Sequence, residues 1–105
     1  FHEIKDNLEL SLVMERTVLY SDIDINQHFN NSRYIEWVFD AMPIDFFKNH
    51  YFKEMSVIFK KEMTPNNKAR IYRFIDNDYV KIVFKSSDDS IVYFEFGGYI
   101  GTMDY

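Results

Sequence analysis

The residues best suited to chemistry lie in one polar stretch between positions 22 and 31. It contains Asp22, Asp24, Asn26, Gln27, His28, Asn30 and Asn31. Asp24, Asn26 and His28 occupy every second position, so in an extended segment their side chains project to the same side. A histidine beside a carboxylate and an amide can bind and activate water. The pattern therefore favours a catalytic site over an ordinary loop histidine.

An apolar helix is predicted directly after this stretch. Asn30 or Asn31 can cap it, because a short amide side chain accepts hydrogen bonds from the free amides of a first helical turn. The apolar residues that follow at helical spacing are Tyr34, Trp37, Val38 and Ala41. Ile35, Phe39 and Met42 widen this stripe, so the helix must be covered on nearly all sides. Free amides at its start can hold an oxyanion, which would put Asn30 and Asn31 beside a substrate.

The rest of the chain alternates with a period of two, which predicts strands. These segments are 8–20 before the helix and 55–62, 69–76, 80–85 and 92–96 after it. Polar turns separate the last four, so we expect antiparallel hairpins. A short turn over 44–48, a linker at 50–51 and a strand loosened at 97–98 are also expected. The order predicts an α+β fold, an antiparallel sheet wrapped around one long central helix.

Composition narrows the class of protein. The length of 105 residues and the 47% hydrophobic content suit a single domain over 1–105. The chain has no cysteine, which is typical of a reducing compartment, and we expect a cytoplasmic location. No apolar run can span a membrane, and the net charge of −5 disfavours nucleic acid. His2, His28 and His50 lack zinc-motif spacing, so no metal or cofactor is expected.

The stretch from Asp22 to Trp37 resembles the signature of acyl-acyl-carrier-protein (acyl-ACP) thioesterases. Those enzymes carry Asp-x-Asn-x-His-hydrophobe-Asn-Asn-x-x-Tyr-x-x-Trp in a C-terminal hotdog domain. The similarity continues through 41–43 and into 55–62. The resemblance implies a hotdog fold and the hydrolysis of a fatty acyl thioester carried by acyl carrier protein.

The resemblance also implies roles for particular residues. By position, Asp24, Asn26 and His28 fall on the family's catalytic loop, and Glu62 on its strand-end carboxylate. Met63 stands where plant members have a cysteine. A cysteine nucleophile is therefore excluded, which leaves a mechanism that uses activated water.

Several alternatives remain at this point. The family usually has two hotdog domains in tandem, so this chain is either a C-terminal half or a single domain that forms homodimers. An acyl-CoA thioesterase and a non-catalytic module that binds acyl groups or only dimerises are rival functions. A set of basic residues is either a solvated face or a docking patch for an acidic carrier: Lys60, Lys61, Lys68, Arg70 and Arg73.

Overall fold

The computed structural model describes residues 3–26 and 28–103, so His2 and Gln27 lie outside the described residues. Its elements are β1 (Ser11–Thr17), a 3₁₀ turn (Tyr20–Asp22), α1 (Asn31–Asp40), α2 (Phe46–Asn49), β2 (His50–Phe59), β3 (Lys68–Ile75), β4 (Tyr79–Ser86) and β5 (Val92–Thr102). The predicted order of strand, helix and four strands is confirmed. Within the described part of the chain, no helix is long and apolar enough to cross a membrane.

The five strands form one antiparallel sheet in the order β1-β3-β4-β5-β2. The hairpins β3-β4 and β4-β5 are as predicted. A hairpin between β2 and β3 was also expected, and that prediction is wrong: β2 pairs with β5 at one edge, while β1 takes the place beside β3. A polar turn makes the chain reverse but does not determine which strand lies next to it.

Helix α1 packs on the sheet through its predicted stripe. Tyr34, Trp37, Val38 and Ala41 are all buried. The ring centroids of Trp37 and Phe84 on β4 lie 5.8 Å apart. Burial of such residues is the dominant source of stability in a core of this kind.

The helix differs from the expectation in length and in cover. It spans only ten residues and ends at Asp40, with Ala41 as its C-cap. Pro43 follows, and a proline cannot continue a helix. Phe39 remains 41% exposed, so the chain itself does not cover α1 on nearly all sides.

Strand boundaries correct two further expectations. His50 and Tyr51 are the first residues of β2 and not a linker. Gly97 and Gly98 do not loosen β5, which continues to Thr102. A Cβ atom on Gly97 would overlap the hydroxyl of Tyr79, and one on Gly98 would crowd the Phe52 ring. The glycines therefore make room for aromatic rings that pack across the strand.

A cluster of charged groups lies on the sheet face opposite α1. Buried Lys81 donates through Nζ to the carbonyl of Lys5 at 2.7 Å and lies 3.4 Å from Oε1 of Glu95. The Nζ atom of Lys60 lies 2.9 Å from Oε2 of the same carboxylate. Burial acts to raise the pKa of Glu95, but the two lysines outweigh it and lower that pKa. Glu95 is thus held ionised between two cations.

Candidate active site

The polar loop before α1 is a tight turn organised by Asp24. Its Oδ1 atom accepts hydrogen bonds from the backbone amides of Asn26 at 2.9 Å and His28 at 3.1 Å. The Asp24 amide donates in turn to the His28 carbonyl at 2.9 Å. The segment is therefore not extended, and the expected common projection of Asp24, Asn26 and His28 is wrong. One carboxylate oxygen of Asp24 is engaged in shaping the loop.

Two buried side chains fasten this loop to the rest of the domain. The side chain of Asp22 accepts a hydrogen bond through Oδ2 from the Leu19 amide at 2.8 Å. The backbone carbonyl of Asp22 also accepts one, from the Asn30 amide at 2.8 Å. The Phe29 ring packs edge-to-face on Tyr34 and Trp37, with centroids 4.6 Å and 5.1 Å away. His28, directly before Phe29, is thereby kept close to the start of α1.

The cap of α1 is Asn30, one of the two residues that the sequence predicted. Its Oδ1 atom accepts from the Ser32 amide at 3.0 Å. Asn31 is the first helical residue, where backbone amides have no intrahelical partner and the helix dipole is positive. This end of the helix is suited to a developing negative charge.

His28 meets Glu62 across the fold. The Nδ1 atom of His28 lies 2.6 Å from Oε1 of Glu62, although 34 positions separate the two residues. An ionised carboxylate can only accept, so Nδ1 is the donor in this contact; in the neutral imidazole, Nε2 is then the nitrogen that can accept a proton. The two side chains are 63% and 48% exposed. The pair is an oriented base that is open to solvent within this chain.

A cleft of about 290 Å³ adjoins the pair. It is lined by Phe29, Asn31, Tyr34, Phe59, Lys60, Lys61 and Glu62. Aromatic rings form one part of its wall, and Glu62 with the first residue of α1 forms another. The cleft can therefore receive an apolar group whose polar end lies beside the pair.

The structure separates the residues that the sequence grouped. His28 and Glu62 are joined, and Asn31 shares the cleft with Glu62. Asp24 instead lines a second cleft of about 450 Å³ with Tyr20, Ile23, Ile25 and Pro65. Asn26 is exposed, and among the described residues no hydrogen bond links its side chain to the pair.

Sequence reasoning placed Tyr34 only in the core and did not connect Lys61 with the site. Both line the cleft of 290 Å³. The available signal for Tyr34 was a hydroxyl within an otherwise apolar helical stripe, one turn after the cap. In residues 3–26 and 28–103, no cluster of three or more histidine, cysteine or carboxylate side chains is arranged to hold a metal ion.

Comparison with known proteins identifies the family. Residues 5–92 match the sequence profile described as the acyl-ACP thioesterase C-terminal domain. The chain belongs to this family.

The curated relatives match this acyl-ACP thioesterase domain over part of its length. A chloroplastic dodecanoyl-[acyl-carrier-protein] hydrolase from Umbellularia californica is 33% identical over 54 residues, which are 51% of this chain and 14% of the relative. A chloroplastic palmitoyl-acyl carrier protein thioesterase from Arabidopsis thaliana is 35% identical over 46 residues, 44% of this chain and 11% of the relative. The match thus spans less than a sixth of either relative.

Solved structures confirm the hotdog fold of the domain. An acyl-ACP thioesterase from Bacteroides thetaiotaomicron superposes with a TM-score of 0.79 at 23% identity, covering 94% of this chain and 40% of that one. The 12:0-ACP thioesterase from Umbellularia californica gives 0.80 at 16% identity, covering 98% and 40%. A Staphylococcus aureus protein solved in complex with CoA gives 0.72 at 13% identity, covering 87% and 75%.

Lys60, Arg70 and Arg73 have polar partners within this acyl-ACP thioesterase domain. Lys60 pairs with Glu95, and Arg70 lies 3.0 Å from Glu15 through Nε. The guanidinium of Arg73 donates to the Ala41 carbonyl at 2.7 Å. For Lys60 and Arg70 these contacts favour the interpretation of charges neutralised within the domain, while Lys60 and Lys61 also line the cleft beside Glu62.

Proposed function

We propose that this chain is the catalytic hotdog domain of a thioesterase that hydrolyses fatty acyl-ACP by activated water. The observation that carries the proposal is the 2.6 Å contact between His28 Nδ1 and Glu62 Oε1 beside the cleft at the start of α1. Membership of the acyl-ACP thioesterase family supports the substrate class.

In this mechanism the imidazole of His28 acts as a general base. Its Nε2 atom removes a proton from water while Glu62 stabilises the imidazolium through Nδ1. The hydroxide attacks the thioester carbonyl, and the oxyanion lies near the first amides of α1. The C–S bond then breaks and the imidazolium returns the proton to the thiolate, giving a fatty acid and a thiol. A thiol pKa of about 8.5 makes the thiolate a good leaving group, so strong acid assistance is not needed.

The residues of the loop take different parts in this proposal. Asp24 holds the turn that presents His28, and Asn30 fixes the helix start by capping it. Asn31 contributes the backbone amide nearest to the carbonyl oxygen. Asn26, whose side chain is exposed, orients water or the thioester once substrate is bound. Met63 has a thioether and no thiol, so it supplies no nucleophile, and its buried side chain packs in the core.

Two separate histidine variants test the assignment of His28 as the general base. His28→Ala should lower kcat on an acyl-ACP substrate roughly 100-fold to 10,000-fold, as expected for loss of a general base. His50→Ala is the matched control, because His50 bonds the Phe46 carbonyl away from the cleft and should leave turnover unchanged. Wild-type rates in His28→Ala would disprove the proposal.

Acyl-CoA is the alternative substrate, and the pairing of Lys60 and Arg70 with carboxylates of this chain is the observation that favours it. Lys60 and Arg70 each lie beside a carboxylate of this chain, so part of their charge is neutralised within the domain. Rates should be compared on the same acyl group carried by ACP and by CoA. A higher kcat/KM on ACP supports the proposal. A higher value on CoA establishes the alternative, and acyl binding without thiol release in either case establishes a non-catalytic module.

We further propose that the edge strand β2 pairs with a second hotdog domain, either another copy or a preceding domain. Strand β2 is an edge of the sheet, and Met55, Val57, Ile58 and Phe59 on it are exposed. Exposed apolar edge strands promote association. The solved acyl-ACP thioesterases are longer chains of which this one covers 40%, which is consistent with a preceding domain.

Light scattering on the isolated chain tests whether two copies associate through strand β2. We expect a dimer that Val57→Lys dissociates, because a charge on this strand opposes pairing. Leu12→Lys, on the opposite edge strand β1 and also exposed, is the control and should remain dimeric. A monomeric wild-type chain would contradict pairing between copies.

The cytoplasmic location also stays a prediction, since the plant relatives are named as chloroplastic.

A further inference from the structure

Strand β2 presents a row of apolar side chains on the face of the sheet that carries α1. Val57 pairs with Phe96, and Phe59 pairs with Phe94. Both partners are buried in the core, and residues directly opposite each other in an antiparallel pair project to the same face. Met55, two positions before Val57, projects there too. Along the row, Met55, Val57 and Phe59 are nevertheless 54%, 38% and 53% exposed.

Helix α1 runs beside this row without covering it. Near the start of the helix, the ring centroids of Tyr34 and Phe59 lie 5.1 Å apart. Near its end, Phe39 stacks on Phe52 of β2 with centroids 6.4 Å apart. The helix therefore follows the strand from one contact to the other, and the exposed middle of the row lies between them. We call this apolar surface between α1 and β2 the β2 trough.

The β2 trough begins at the candidate active site and ends at a cluster of rings. Phe59, its first residue, also lines the cleft beside Glu62. At the other end, the ring centroids of Phe52 and Phe47 lie 5.8 Å apart, so packed aromatic side chains form an end wall. From Phe59 to Met55 the strand advances about 13 Å, at about 3.3 Å per residue. The trough is therefore long and narrow, with one end beside the reacting groups.

The chemistry of the trough fits a saturated acyl chain. In the proposed mechanism the thioester carbonyl lies between His28 and the start of α1, so the acyl chain must leave through the cleft. The row that continues from the cleft is apolar at each of its positions, and every methylene buried there contributes favourably. A peptide segment would instead bring backbone amides and carbonyls, which need hydrogen-bond partners that apolar side chains do not supply.

We propose that the β2 trough binds the acyl chain and that Val57 and Met55 determine which chain lengths the enzyme accepts. The inference rests on the proposed function, because the hydrolysis of a fatty acyl thioester is what places a chain in the cleft. The backbone edge of β2, where a second domain is proposed to pair, is a different part of the strand from this face.

The test compares Val57→Trp with Ile58→Trp on acyl-ACP substrates that differ only in chain length. Ile58 is the matched control, because it is 39% exposed on the same strand and pairs with Glu95 on the opposite face of the sheet. The readout is the ratio of kcat/KM on dodecanoyl-ACP to kcat/KM on butanoyl-ACP. This ratio does not depend on the fraction of enzyme that is folded.

The expected changes follow from the order of residues along the trough. Val57→Trp should lower the ratio more than ten-fold, because an indole would displace several methylenes that each contribute about four-fold. Ile58→Trp should leave the ratio unchanged. Met55→Trp, farther from the active site, should lower kcat/KM on hexadecanoyl-ACP more than on octanoyl-ACP. An unchanged ratio in Val57→Trp, or an equal fall in Ile58→Trp, would overturn the proposal.

A binding measurement separates this proposal from the proposed function. Dodecyl-CoA and butyl-CoA are thioethers that cannot be hydrolysed, and calorimetry on the whole chain measures their affinities without turnover. Dodecyl-CoA should bind more tightly, and Val57→Trp should remove most of that difference while Ile58→Trp preserves it. Equal affinities of the two thioethers for the wild type would overturn the trough. Wild-type rates in His28→Ala would disprove the mechanism and leave this measurement valid.

Discussion

Glu62 contacts His28 only through Oε1 and Nδ1, at 2.6 Å, and this single contact directs the free Nε2 atom of the ring. We predict that Glu62→Gln lowers kcat roughly ten-fold to a hundred-fold, less than His28→Ala. A neutral amide can still accept from Nδ1–H, but it does not stabilise the imidazolium charge. Stopped-flow measurement of thiol release would check the ranking, and a Glu62→Gln enzyme as active as the wild type would contradict it.

Asp24 allows a test that separates loop shape from chemistry. Its Oδ1 atom accepts two backbone amides, so Asp24→Ala should unfold the turn locally and cost about 1–3 kcal/mol of stability along with most activity. Asp24→Asn retains an acceptor oxygen and should keep most of both. Denaturant unfolding and kcat would be measured together. Equal loss of turnover in the two variants, with stability intact, would instead assign the carboxylate charge a direct chemical role.

The charged cluster around Glu95 predicts how stability depends on pH. The pKa of Glu95 is lowered in the folded protein from its ordinary value of 4.5, by the two lysines acting against burial. The stabilisation is therefore complete above that ordinary value and is lost as pH falls through the lower, folded-state pKa. Glu95→Gln should be less stable near neutral pH and should lose less of its remaining stability in acid. Urea midpoints measured from about pH 7 to about pH 3 would reveal this difference, and parallel curves would refute the assignment.

The close packing of Gly97 against Tyr79 predicts a coupling between the neighbouring strands β5 and β4. A Cβ atom there would overlap the Tyr79 hydroxyl, so Gly97→Ala should destabilise the fold by about 1–3 kcal/mol. In a Tyr79→Phe background the clashing oxygen is gone and the cost of the alanine should shrink. A double-mutant cycle by thermal unfolding measures this interaction. Additive effects of the two changes would show that the crowding is relieved elsewhere.

The sequence predicted most reliably those elements whose buried residues must recur at a fixed spacing along the chain. The stripe of Tyr34, Trp37 and Val38 was predicted correctly, because a helix that packs on one side must repeat its apolar residues every three to four positions. The cap at Asn30 followed from local chemistry. These features depend on neighbours along the chain, which a sequence displays directly.

The misses depend on contacts between distant residues. The continuation of β5 through Gly97 relies on the Tyr79 ring, and the position of β2 beside β5 relies on the strand order. No periodicity connects His28 with Glu62 across 34 positions, and only the family resemblance suggested Glu62. The turn around Asp24 was missed because alternating polar residues have the same spacing in a strand and in a loop closed by a side chain.

Strand β2 lies at an edge of the sheet, and Glu62 follows its last residue, Phe59, by three positions. Whatever occupies that edge will constrain the strand, and with it the carboxylate that orients His28. Association and chemistry would then be linked, so specific activity should rise with protein concentration until the edge is saturated. Dilution alone would therefore lower the specific activity, although no inhibitor is added.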